Sequence, residues 1–288
     1  MQKIEKILDE LDSRVKGIEE SNFYNNDLDK KMRITANAYL VVYVSVAITA
    51  ELTTFMGKDK VLLYPGWFPF DWSSSTVKYL FVHIYQFGGI CIAIAQNFAN
   101  ETTPALLLCL LSGHIKLLKI RISKCCGVCG DLQENESELM LCIKDQIKLY
   151  KLCDLIEELI TFPTFVQISV FAANICVALA ALLFYLNDYF DRVYYFVYVL
   201  AMTAQIFPTC YFSSDFQVVF EQLPYAVFCS NWVGQSKLYK KHMILFAERS
   251  LRHRVLLVGG ILPLNLDTYV AACKGAYSLF AFFLNFKG

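Results

Sequence analysis

VLLVGGILPLNLDTYVAACKGAYSLFAFFLNF, residues Val255–Phe286, is apolar enough to cross a bilayer, which takes roughly 20 residues of helix. It nevertheless carries Asn265, Asp267, Thr268 and Lys274. An ionisable side chain at the centre of a lipid-facing helix costs about 2.5–3.5 kcal/mol on insertion scales, so such groups face a bundle interior or water. The small residues Ala271, Ala272, Gly275 and Ala276 allow close helix contact or leave room for an aqueous path. From Leu279 to Leu284 the polarity stops. A polar stripe closed by aromatic side chains is the pattern of a pore-lining helix with a hydrophobic constriction that gates by dewetting. A buried span packed against its neighbours is the competing reading, and the stretch alone does not separate the two.

Working outward, the whole chain has the same character. Of 288 residues, 56% are hydrophobic and 15% aromatic, and the mean hydropathy is +0.43. A soluble domain of this length is far less apolar, so the class is membrane protein. The formal net charge is zero, which leaves no basic surplus to neutralise phosphates and argues against a nucleic-acid partner. Of the eleven cysteines, Cys91, Cys109, Cys176, Cys210 and Cys273 lie in apolar runs and behave as small hydrophobes. Cys125, Cys126 and Cys129 form a CCxxC cluster, with Cys142 further on. A second paired motif that would complete a tetrahedral zinc site is missing, so palmitoylation or free thiols rank ahead of a metal. His83, His114, His242 and His253 are scattered, and no HExxH, GxSxG, P-loop or GxGxxG frame exists. Enzyme chemistry and a cofactor therefore find no support.

Five spans are expected in an all-α, polytopic bundle. Residues 1–33 (MQKIEKILDELDSR onward) place Ile4, Leu8, Leu11 and Val15 at helical spacing and read as a cytosolic helix without a signal-peptide core. Residues 34–111 hold two spans. The loop between them, residues 57–78, contains YPGWFPFDW; Pro and Gly break helices, and Trp and Tyr favour the headgroup level, which makes an aromatic shelf. The second span is expected to continue past Pro104, a kink candidate, into the cytosol. Residues 112–160 form a charged cytosolic segment, with a disordered tip at GVCGDLQENES and an amphipathic helix after it. Residues 161–212 hold two more spans, joined by a turn at Asn187, Asp188 and Asp191. Residues 213–254 are a second cytosolic segment, and 255–288 carry the last span.

Orientation follows from Lys and Arg. Lys3, Lys6, Arg14, Lys16, Lys30, Lys31 and Arg33 precede the first span. Lys116, Lys119, Arg121, Lys124, Lys144, Lys148 and Lys151 follow the second, and Lys237, Lys240, Lys241, Arg249, Arg252 and Arg254 follow the fourth. The opposite loops hold Lys58, Lys60, Lys78, Arg192 and Lys287. The N-terminus is thus expected inside and the C-terminus outside. On this topology the sequons at Asn100 and Asn135 are unused. A secondary transporter would show two inverted halves. No such repeat is visible, although Glu51 and Glu101 within the spans keep that class open.

From Cys210 to Phe280 the sequence becomes specific. LPYA (Leu223–Ala226, with Pro224 and Tyr225), Trp232, a basic amphipathic helix through Lys240 and Arg249, Pro263-Leu264, Thr268-Tyr269, Lys274 and Tyr277-Ser278 follow in order. This series resembles the C-terminal part of insect odorant receptors, and the YPGWFPFDWSSS and LLSGHIKLLKIRI stretches resemble the same family upstream. The resemblance covers nearly the whole chain. Family members have seven spans, so this chain is expected to correspond to the last five. The resemblance implies an odorant-gated, non-selective cation channel subunit in a heterotetramer with a shared co-receptor, in the plasma membrane of olfactory neurons. It places Asp267 and Lys274 in the pore and the hydrophobic gate at Phe282 and Phe286, four residues apart and so on one helix face. The ligand is expected to be a small apolar volatile in an aromatic pocket. Its candidate walls are Tyr43 and Ala47 on the first span, Phe81 and Tyr85 on the second, and Tyr195 and Tyr198 on the fourth. Cytosolic helices around Ile147–Leu159 and Tyr239–Arg249 are expected to anchor subunits, with Leu149, Leu152, Leu155 and Leu159 at the interface. A gustatory-type receptor of the same superfamily is the nearest alternative, and a transporter the more distant one.

Overall fold

The computed structural model describes residues 1–56, 62–125, 132–184, 189–252 and 254–287; the side chains at 53, 55, 56, 183, 184, 190, 191, 279, 280 and 283–287 lie outside the description. Cys126, Cys129, Asn187, Asp188 and His253 therefore lie outside the described residues. The chain is all-α apart from one small hairpin. The helices are α1 (Gln2–Asp12), α2 (Ile18–Asn22), α3 (Asp29–Met56), α4 (Thr76–Lys124), α5 (Leu132–Phe184), α6 (Tyr189–Ala226), α7 (Lys237–Ser250) and α8 (Leu266–Lys287). A π-helical turn, Phe23–Leu28, joins α2 to α3. Strands β1 (Leu257–Val258) and β2 (Leu262–Pro263) pair antiparallel just before α8.

Among the described residues, three helical stretches are long and apolar enough to cross a membrane by length and composition: Ile18–Leu52, Leu132–Leu182 and Arg192–Cys229. Helices α4 and α8 carry the second and last expected spans. Two expected segment boundaries fall inside continuous helices. Helix α5 runs for 53 residues through Pro163, from the amphipathic stretch into the expected third span. Helix α6 likewise continues from the expected fourth span through Pro208 and Pro224 to Ala226. The expected disordered tip is helical from Leu132 onward, with Glu134 in the first turn, where a negative charge complements the helix dipole.

The chain divides into two compact units. The first comprises Met1–Thr35, Pro104–Gln167 and Pro208–Tyr269. Its core is read most easily from α4, where Leu108, Leu111, Ile115, Leu118 and Ile122 recur every three or four residues and are all buried. That is the spacing that keeps one stripe of a helix turned inward. Leu149, Leu152 and Ile156 of α5, Phe216 and Phe220 of α6, and Tyr239, Met243 and Phe246 of α7 are buried in the same unit. Helix α1 contributes Ile4, Ile7 and Leu11. Gly113 is required where α4 meets the π-helical turn, since a Cβ there would lie 2.6 Å from Leu28 Cδ1. The hairpin turns at Gly259 and Gly260, both with positive φ, and a Cβ on Gly259 would meet the Phe165 ring at 2.6 Å.

The same unit buries charge in matched sets. Asp145, almost fully enclosed, accepts from Arg14 Nε at 2.9 Å and from Arg121 Nη1 at 3.1 Å, while Arg121 Nε donates to Glu20 at 2.9 Å. Asp215 is held by Lys116 Nζ at 2.7 and 2.9 Å and by the Ser112 hydroxyl. His114 is buried with its Nε2 3.4 Å from Asp12 Oδ1, and Tyr24 donates to the other Asp12 oxygen. Burial, assisted by the positive charge of Arg121, pushes the His114 imidazole down to about 4, so it is neutral at physiological pH. Cys125 and Cys142 bring their sulfurs to 3.8 Å as free, buried thiols; their mutual contact and burial hold Cys142 protonated.

The second unit comprises Ala36–Thr103, Ile168–Phe207 and Val270–Gly288. Its large apolar side chains point outward: Leu40, Val41, Val44 and Ile48 of α3, Ile84 and Ile92 of α4, Val170 and Val177 of α5, and Phe196 and Leu200 of α6 are exposed. Its buried positions include Val82, Phe171, Ile175 and Ile206 together with Gln86 and Gln205. A unit apolar on its outer surface as well as inside has the surface that hydrocarbon requires.

Candidate functional site

Within the second unit α3 and α4 run antiparallel, and their pairing sets the site. Midway along α3, the Tyr43 ring meets Phe98 edge-on at 6.4 Å. Two turns further along, Glu51 Oε2 lies 3.0 Å from His83 Nε2. Tyr39 donates to the Gln205 carbonyl at 2.7 Å and so ties α3 to α6. The Tyr39 bond answers the rule that a polar group taken out of water must find a partner, and the Glu51–His83 contact does so for one of the two Glu51 oxygens.

The loop between α3 and α4 is fixed by one side chain. Gln86 accepts from Leu63 N at 3.1 Å and donates to the Tyr64 carbonyl at 2.8 Å. A fully buried amide satisfied on both ends by backbone holds this loop against α4 without any regular structure of its own. Phe68 of the loop packs on Phe70 and on Tyr85, at ring distances of 6.1 and 6.4 Å. Trp72, Tyr79 and His83 then form a chain of rings with spacings of 6.2 and 5.8 Å.

The six ligand-wall candidates do not share one environment. Tyr43 is buried in the α3–α4 seam, and Ala47, one turn on, is half-buried. Phe81 and Tyr85 lie on the outer face of α4 at 68% and 67% exposure, and only Tyr85 is covered by the loop, through Phe68. Tyr195 and Tyr198 are half-buried on α6 and are linked through Tyr194, which stands 5.6 Å from the first ring and stacks on the second at 6.4 Å. The inward residues of this stretch of α4 are instead Val82, His83 and Gln86. Glu51, His83, Gln86 and Tyr194, which touch or neighbour these positions, are not among the expected walls. The available signal was the acid within a span, which must be paired, set against the one histidine of the next span.

Helix α8 divides its polar residues between two tasks. Asn265 Oδ1 accepts from Thr268 N at 2.9 Å, and Thr268 Oγ1 donates to the Pro263 carbonyl at 2.6 Å. Ser214 takes the Leu266 N–H at 2.9 Å. Asn265 and Thr268 are thus occupied in starting the helix, as Asx residues do at N-termini. Asp267, Ala271, Lys274, Gly275, Ser278 and Phe282 are all exposed and fall on one face, with Phe282 at 54%. Phe286 lies outside the described side chains. Of the remaining expected positions, Pro224 is buried inside α6, Tyr225 and Tyr277 are exposed, and Trp232 packs edge-on to Phe228 at 6.5 Å. In the first unit, α5 and α7 frame a recess of about 650 Å³ lined by Met140, Ile147, His242, Leu245, Glu248 and Arg249 among others. Leu149 and Leu152, expected at a subunit interface, face the unit's own core instead.

With this geometry in place, comparison with known proteins is direct. The sequence matches the family described as 7tm Odorant receptor over residues 1–277. It is 39% identical to Odorant receptor 23a of Drosophila melanogaster, over 97% of this chain and 74% of that one. It is 35% identical to Odorant receptor 59a of the same organism, over 99% of this chain and 75% of that one. The fold is similar to the insect olfactory receptor OR5 from Machilis hrabei, with a TM-score of 0.80 and 13% identity over 98% of this chain and 74% of that chain. The same receptor is described in complex with eugenol, with the same score.

Proposed function

The chain belongs to the insect odorant receptor family, whose members are multi-pass membrane proteins, and from that premise we propose that it is the odorant-binding subunit of a ligand-gated, non-selective cation channel completed by the odorant co-receptor. The matches to odorant receptors favour this over the gustatory-type and transporter readings. The observation that carries the channel reading is the outward face of α8. Asp267, Lys274 and Ser278 share it with Phe282, and no face presented only to hydrocarbon or only to a packed core would hold that mixture. Water on one side of the helix, with a phenylalanine to close it, accounts for both halves. The gate is assigned to Phe282 and Phe286.

The ligand is a small volatile received among the aromatic side chains of the second unit, with Tyr43, Ala47, Phe81, Tyr85, Tyr195 and Tyr198 as the proposed walls. The eugenol complex of the structurally similar receptor supports a ligand of that size. Gating follows if the odorant binds the open state better than the closed one, each factor of ten in that ratio supplying about 1.4 kcal/mol. In the first unit, exposed Met140, Ile147, Ile244 and Leu245 around the α5–α7 recess supply an apolar surface for a neighbouring subunit. The charge distribution supports a plasma-membrane topology with the N-terminus cytosolic and the C-terminus outside. Co-expression with the co-receptor and recording against an odorant panel tests the proposal. Cation currents that require both chains and an odorant are the expected result, and odorant-independent, saturable solute flux from this chain alone would overturn it.

A further inference from the structure

Among the described residues of the apolar unit, the Glu51 carboxylate is satisfied on one side only. Glu51 stands on α3 with its side chain 22% exposed. Its Oε2 is engaged by His83 Nε2 at 3.0 Å. Its Oε1 is buried and receives no hydrogen bond from any described residue. A buried carboxylate oxygen without a donor is an unstable arrangement in a low-dielectric surrounding, and it is relieved by any group that brings an N–H or O–H to it. The surroundings also favour such a guest. His83 is nearly enclosed and holds Glu51 in place from α4. Tyr79 tilts against the His83 ring at 5.8 Å, and Trp72 against Tyr79 at 6.2 Å, so aromatic faces run from the loop to the pair. Apolar and aromatic walls around one oriented acceptor are how small-molecule sites fix the polar end of a ligand. Of the neighbouring buried polar groups on these helices, Gln86 is committed to the loop backbone and Tyr39 to the Gln205 carbonyl.

We infer that Glu51, positioned by His83, is the polar-head subsite of the odorant pocket, and that it selects volatiles bearing a hydrogen-bond donor, a hydroxyl or an amine, over acceptor-only molecules of the same shape. This rests on the reading of the chain as an odorant-gated subunit. The ligand's N–H or O–H donates to Glu51 Oε1, while its hydrocarbon part lies among the aromatic rings. Glu51 is the contacting residue and His83 a positioning residue.

The test uses the full chain co-expressed with the co-receptor. The probes are matched triplets in which one skeleton, from butyl to decyl and also benzyl, carries an alcohol, a primary amine or a methyl ether. The wild-type subunit is expected to respond to the alcohol or the amine of at least one skeleton at a concentration about tenfold or more below that of its ether, the range expected for a hydrogen bond to a charged acceptor. Glu51→Gln keeps the size of the side chain and removes its charge. It is expected to cut that preference at least about threefold, since the remaining amide oxygen is a weaker, uncharged acceptor and the new N–H favours the ether. His83→Phe keeps a ring against Tyr79 and is expected to weaken the donor preference without abolishing gating, provided surface labelling shows normal delivery. Equal potency of donors and ethers in the wild type, or a preference unaltered by Glu51→Gln, overturns the inference while leaving the channel reading intact. Silence toward every probe and toward the wider odorant panel would instead remove the proposed function on which it rests.

Discussion

Removing the carboxylate of Asp145 should destabilise the first unit more than any surface change. Asp145 side-chain exposure is 3%, and its Oδ2 serves both Arg14 and Arg121. Breaking a buried ion pair by deleting one partner costs about 3–5 kcal/mol, because a charge is left enclosed without a counterion. The geometry sets where in that range the value falls. Arg14 is 22% exposed and also lies 3.7 Å from Glu138, so it can turn to water. Arg121 is enclosed, but it keeps Glu20 on its Nε. Asp145→Ala should therefore lie near the lower bound, about 3 kcal/mol. For a chain of this size each kcal/mol is roughly 2–4 °C, so the expected fall in Tm is about 6–12 °C. The assay is thermal unfolding of detergent-solubilised protein, read as loss of the monodisperse peak on size exclusion. A companion carries Arg121→Met and Glu20→Gln with Asp145→Leu, so that none of the three enclosed charges is left without its counterion. It should recover at least half of the loss, since the cost lies in the orphaned guanidinium and not in the absent attraction. A Tm for Asp145→Ala within about 1 °C of wild type, or a companion worse than the single variant, would refute the reasoning.

Further expectations concern other parts of the molecule. Folded His114 takes up its proton only near pH 4, against 6.5 when unfolded. The unfolded state then binds more protons below 6.5, so stability is full above that pH and falls as pH drops toward 4, by about 1.4 kcal/mol per unit. His114→Gln should flatten that part of a Tm-against-pH curve, and an unchanged slope would show that another group carries it. Gly259→Ala should cost about 2–4 kcal/mol, from its positive φ and the Phe165 ring together. Gly260→Ala, with a similar φ but open space around it, should cost only about 1–2 kcal/mol, and equal melting points for the two would deny the ring contact. Phe282 is largely exposed in the single chain. Phe282→Ala should leave thermal stability nearly unchanged while altering ion permeation or resting current in the assembled channel, and unaltered currents would remove it from the gate.

The membrane class, the helical content and the family-specific series from Leu223 to Ser278 were all legible in the sequence, because each is written locally as hydropathy, spacing or order. The N-terminal helix was legible too, although Ile7, not Leu8 or Val15, completes its buried face with Ile4 and Leu11. Element ends were less so. Pro163, Pro208 and Pro224 lie inside helices, a placement that membrane-spanning helices tolerate. An apolar run therefore passes into an amphipathic one with no break. Leu149 and Leu152 were expected at an interface, yet they fill the unit's own core. Periodicity shows that a stripe is apolar, not which neighbour covers it. Asn265 and Thr268 read as part of a wet stripe until their capping bonds are seen. Pairings such as Glu51 with His83, or Arg14 with Asp145 across 131 positions, depend on how helices are brought together, which no local pattern encodes.

The account stands or falls on the outward face of α8. The direct measurement places single cysteines along it, in a background with Cys273 replaced, and applies a charged thiol reagent from outside during odorant stimulation of channels assembled with the co-receptor. Modification at Ala271→Cys, Lys274→Cys and Ser278→Cys should change the current, while Ala272→Cys and Ala276→Cys, on the half-buried side, should not respond. Current insensitive at all five positions, or equally sensitive at all five, would mean that water does not run along this face, and the channel assignment of α8 would be wrong.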